Sequence, residues 1–178
     1  MLNHWKINWQ KGICHGFGIL ELFIGLMMLS LAVIAVTPGM HSYWQRQQLN
    51  RVAWDIVSLL QWAQTLAQTQ QRSVVICASQ DGKQCGGQWS QGMLVFYGHD
   101  QQITEPAMIL RFHAYANIPV NIDWRGFWSH EYIRFDGYGL GQTLSGRFRL
   151  TQAAGSLSRC LVMNRIGRIR VEAECSNL

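Results

Sequence analysis

The sequence predicts an α+β fold: a long N-terminal α-helix, membrane-spanning in its first half, packed on antiparallel β-sheets. Three observations predict it. Phe17–Val36 is an apolar run of twenty residues, and a helix needs about 20 to cross a hydrocarbon core. Further on, Leu49, Val52, Ala53, Ile56, Leu59, Leu60, Ala63, Leu66 and Ala67 recur at spacings of three and four, which is one apolar stripe on a continuing helix. After Arg72 the period switches to two and no crossover helix separates the short strands, so they pair antiparallel.

The elements follow in order. Residues 1–16 carry Lys6 and Lys11 and no acid; positive charge before an apolar span keeps that end cytoplasmic and exports the rest. Residues 17–38 form the membrane half of the helix, which holds one acid, Glu21. A carboxylate there costs roughly 2.5–3.5 kcal/mol and so calls for a partner. Pro38 kinks the helix without starting a new domain, and residues 39–72 are its amphipathic half. Residues 73–178 read as strands at Ser73–Ala78, Met93–Tyr97, Ile109–Tyr115, Val120–Trp124, Glu131–Asp136, Gly146–Leu150, Arg159–Met163 and Ile169–Ala173. The last two make a hairpin around Asn164–Gly167.

Charge and cysteine use narrow the chemistry. Loss of the segment with Lys6 and Lys11 lowers the formal charge from +5 to +3 and leaves Lys83 as the sole lysine among twelve arginines. Arginine suits forked recognition of phosphate or carboxylate. Six arginines and no acid lie between Ser145 and Arg170. Of five cysteines, Cys14 precedes the apolar run, which leaves Cys77, Cys85, Cys160 and Cys175. An even count in an exported domain reads as disulfides. Three pairings are possible; Cys77–Cys85 and Cys160–Cys175 are favoured because each closes a local loop. No Cys-x-x-Cys or paired-histidine spacing points to zinc, and no metal or other cofactor is expected.

Enzyme activity is not expected. His99, Asp100, His113 and His130 have no nucleophile-elbow pattern beside them. Cys85-Gly86-Gly87 lacks the Lys-Ser/Thr that follows a phosphate-cradling loop. The basic C-terminal stretch carries more. Arg165, Arg168 and Arg170 crowd one end of the hairpin, and two of them, Arg168 and Arg170, share a side of an extended segment. That arrangement suits the phosphates of a polyanion; it also suits a solvated strand edge that resists aggregation. Arg125, between Trp124 and Trp128, extends the basic patch by stacking or backbone contact, unless those tryptophans fill the core at a turn.

The stretch Gly16-Phe17-Gly18-Ile19-Leu20-Glu21-Leu22-Phe23 resembles the N-terminus of type IV pilins and type II secretion pseudopilins. The resemblance implies a prepilin peptidase that cuts between Gly16 and Phe17, methylation of Phe17, and a role for Glu21 in subunit assembly. Gly18 stands where the family most often has Thr. Three further blocks resemble the GspH/FimT branch: Val74–Gly82 with Cys85, Trp89 and Phe96; Ile133–Asp136 with Gly137, Gly139 and Phe148; and Asn164–Arg170. What this implies is a type IV pilin-like fold anchored by a single pass in the bacterial inner membrane, with a periplasmic head and other pilins or pseudopilins as partners. In FimT-type minor pilins a terminal Gly-Arg-x-Arg motif is associated with DNA capture for natural transformation, and here it reads Gly167-Arg168-Ile169-Arg170. The expectation is therefore a minor pilin that binds extracellular DNA through Arg165, Arg168, Arg170 and Arg125. The alternative is an H-type pseudopilin at the tip of a type II secretion pseudopilus.

Overall fold

The computed structural model of the chain describes residues 18–115, 117–127, 129–141, 145–152, 157–173 and 175, with the side chains of 35–39 and 41–42 left aside. The chain divides into two compact units, one ending at His41 and the other beginning at Ser42.

The first helix, α1, is continuous over Ile19–Gln70 and passes through the position of Pro38. In the first unit its large apolar side chains are exposed, among them Leu20, Phe23, Met27, Leu31 and Ile34. Among the described residues no helix is long and apolar enough to cross a membrane. The span expected over 17–38 reaches past the described side chains at both of its ends.

The second unit holds the core. The α1 stripe is buried as the spacing predicts, with Val57 added and Leu66 only half-buried. Eight strands follow: β1 (Val74–Ala78), β2 (Gly92–Tyr97), β3 (Ile109–Ala114), β4 (Val120–Gly126), β5 (Tyr132–Phe135), β6 (Gly146–Gln152), β7 (Ser158–Met163) and β8 (Ile169–Glu172). They form two antiparallel sheets, ordered β3-β2-β1-β5 and β4-β6-β7-β8. β1 is apolar throughout because both its faces are covered. Val74 and Ile76 face the main core, while Val75 and Cys77 join Leu94 and Phe96 in a second cluster.

Both expected disulfides are present. Cys77–Cys85 has Cα atoms 5.6 Å apart, and Cys160–Cys175 5.2 Å. Within the first loop Asp81 Oδ1 accepts hydrogen bonds from the backbone N–H groups of Lys83 (2.9 Å) and Gln84 (3.3 Å). These bonds, that from Lys83 foremost, hold the Asp81 carboxyl below the usual carboxylate range. Trp89, past that loop and before β2, packs edge-on against Phe148 with ring centroids 5.4 Å apart and anchors the β1–β2 connection to the core.

Candidate nucleic-acid interface

The second sheet has two unlike faces. On β4, Val120, Ile122, Trp124 and Gly126 are buried and alternate with exposed Asn121, Asp123 and Arg125. On β6 and β7, Phe148, Leu150, Leu161 and Met163 complete the core side. Residues directly opposite in neighbouring strands share a face, so the register fixes which side chains meet on the outer side. Arg125 pairs with Arg147, Arg147 with Val162, and Val162 with Arg170. One cross-strand row thus carries Arg125, Arg147 and Arg170 over three strand spacings, about 14 Å. The next row runs Asp123, Arg149, Cys160, Glu172. Arg168 lies two residues before Arg170 on the same side of the chain.

The hairpin geometry positions the β8 arginines. Asn164 N–H donates to Arg168 O (3.1 Å), Gly167 N–H to Asn164 O (3.0 Å), and Arg168 N–H to Asn164 Oδ1 (2.8 Å). Gly167 adopts φ +77°, as the turn requires. Gln64 on α1 donates through Nε2 to Gly139 O (2.9 Å) and Ile166 O (3.3 Å), tying two turns to the helix. Arg165, Arg168 and Arg170 are all exposed. Arg165 sits in the turn, outside the row. Arg159 pairs with core-facing Leu150 and also falls outside it.

Arg125 is in β4, one residue past the expected strand end, and its Nε contacts Asp123 Oδ2 at 3.1 Å. Both side chains are more than half exposed, so this pair is worth at most about 1 kcal/mol. Arg149 Nε is a buried donor without a hydrogen-bond partner. Trp124 is 2% exposed, with Nε1 bonded to Ser129 O at 3.0 Å. It therefore fills the core, the second of the two readings open for it, and offers no ring for stacking. Trp128 lies outside the described residues.

Arg147 in the row and Arg149 beside it are the arginines that sequence reasoning passed over as binding residues. Their signal was present as Arg-x-Arg around the apolar Phe148 in a strand with buried alternate positions.

The other expected residues are placed as follows. Gly16 and Phe17 lie outside the described residues. Glu21, in the first turn of α1, is exposed and accepts a hydrogen bond from Gly18 N–H at 3.3 Å. Among the described residues no group of His, Cys, Asp and Glu side chains can hold a metal ion. His99 and Asp100 line one cleft, His113 a second and His130 a third.

A family model described as type II transport protein GspH matches residues 53–167. The chain belongs to the GspH family. The GspH-family head is similar in fold to the type IV minor pilin FimU of Pseudomonas aeruginosa strain PAO1 in two crystal forms. In the first, identity is 21%, the TM-score 0.53, and 72% of this chain and 90% of that one are covered. In the second, identity is 21%, the TM-score 0.50, and the shares are 70% and 92%. No curated protein sequence matches the chain. The chain is thus a GspH-family protein whose fold is like that of a type IV minor pilin.

Proposed function

We propose that this chain is a non-enzymatic minor pilin of a type IV pilus. Its β4-β6-β7-β8 face binds extracellular DNA through the phosphate backbone, without sequence specificity, for uptake in natural transformation. One observation carries the reading: the register gathers Arg125, Arg147 and Arg170 into one row, with Arg149 and Arg168 beside it. Guanidinium groups spread over a strand-built surface neutralise phosphates and release counterions, which drives binding without base readout. Arg165 contributes from the hairpin turn. Around this function we also propose the life cycle that the N-terminal motif implies: anchorage in the inner membrane with a periplasmic head, cleavage between Gly16 and Phe17, methylation of Phe17, and Glu21-dependent assembly.

Salt-dependent DNA binding tests the proposal. Replacement of Arg168, Arg170 or Arg147 by Gln should reduce the log–log salt slope by about 1 per arginine, for unrelated DNA sequences alike. Cells carrying Arg168→Gln with Arg170→Gln should make pili yet lose transformation. Wild-type DNA affinity of that double variant at matched salt contradicts the proposal.

The description of the matched family, type II transport, favours a second reading. A pseudopilin would turn the same face to an acidic neighbouring subunit or exported protein. In that case the double variant impairs secretion and leaves transformation intact.

A further inference from the structure

We propose that Phe127 is a base-stacking platform at the end of the arginine row, so that the face takes single-stranded DNA in preference to duplex. The inference rests on the phosphate-binding reading above. β4 pairing with β6 ends at Gly126 opposite Gly146, yet Phe127 N–H still donates to Ser145 O at 2.8 Å. This bond continues the β4–β6 ladder by one residue, up to a bend at Phe127, and alternation from Asp123 and Arg125 puts Phe127 on their side. Phe127 is 79% exposed and lies two residues beyond Arg125 of the Arg125–Arg147 pair.

The ring's base is held in place. Trp124 Nε1 donates to Ser129 O at 3.0 Å, and Ser129 Oγ accepts from the N–H groups of Glu131 and Tyr132 at 3.3 Å each. A Cβ on Gly126 would run into Ser129 O, so glycine is what lets the loop return this closely. The buried tryptophan thus holds Ser129, two residues past the exposed phenylalanine.

The chemistry follows from the pairing of groups. A single strand offers unstacked bases for an aromatic face and phosphates for neighbouring guanidinium groups, the combination that single-strand binders use. A duplex keeps its bases stacked inside and meets only the arginines, so Phe127 adds affinity for one form alone.

The test is fluorescence anisotropy of the full-length protein in nonionic detergent, with a labelled mixed-sequence single strand and its matching duplex at equal salt. Wild type should bind the single strand more tightly. Phe127→Ala should weaken single-strand binding about 5- to 150-fold and leave duplex binding and its salt slope unchanged. Phe127→Trp should retain single-strand affinity, which separates loss of a ring from loss of a fold. An unchanged urea midpoint for both variants confirms that the exposed site can be altered safely. Equal losses on both forms, or no loss on either, overturn the stacking role and leave the phosphate reading standing. Binding of neither form by wild type overturns the phosphate reading itself.

Discussion

Gly167 shows how one residue joins fold to face. Its φ of +77° is a left-handed conformation that costs a side-chain-bearing residue about 1–2 kcal/mol. A Cβ there would also lie 2.5 Å from Gln64 Nε2, the group that bonds Gly139 O and Ile166 O. Gly167→Ala should therefore lower stability by roughly 1–3 kcal/mol and shift Arg168, the next residue. A urea titration reads the first effect and DNA affinity the second. An unchanged midpoint would mean that the turn relaxes at no cost and that Gln64 does not fix it.

At the scale of elements, β8 is the vulnerable piece. It is a four-residue strand at the edge of its sheet, paired among the described residues with β7 alone, and it carries Arg170. Cys160 is buried in β7 while Cys175 lies beyond β8, so their bridge ties the chain on both sides of the strand. Replacing both cysteines by Ser should cost about 2–4 kcal/mol, and opening should start locally. Hydrogen exchange should quicken at Ile169–Glu172 well before β6; uniform protection across β6, β7 and β8 would contradict this. The strands themselves were legible because burial on one face writes a period of two, as in Val120–Gly126 and Tyr132–Phe135. Their boundaries lie within about two residues of expectation. Sheet membership was not legible. β1 joins β5 across a gap of more than fifty residues, and β4 skips β5 to join β6; nothing local encodes such pairings. The arginine row suffered for the same reason. Arg168 and Arg170 are legible from one segment, whereas Arg125 and Arg147 become neighbours of Arg170 only through three strand pairings.

For the whole molecule, the decisive contrast is between a head with a closed core and a first unit whose described apolar side chains are exposed. Ile19, Leu22, Phe23, Ile24 and Leu26 are all at least half exposed. Contiguous apolar surface of this kind marks contact with lipid or another protein. Glu21, exposed among these residues, accepts a hydrogen bond from Gly18 N–H. A carboxylate in an apolar setting is costly until a cation meets it. The proposed cleavage after Gly16 would free an amine on Phe17, and the same amine on a neighbouring subunit would supply that cation. Gly16→Ala should therefore retain the full-length size on a gel, since the peptidase must fit the smallest side chain beside the scissile bond. Glu21→Ala should still be shortened and reach the membrane, yet fail to enter filaments, because burying an amine without its carboxylate carries the larger penalty. Filament fractions blotted for each variant decide the matter. Normal incorporation of Glu21→Ala would refute the amine–carboxylate pairing, and normal shortening of Gly16→Ala would move the cleavage site elsewhere.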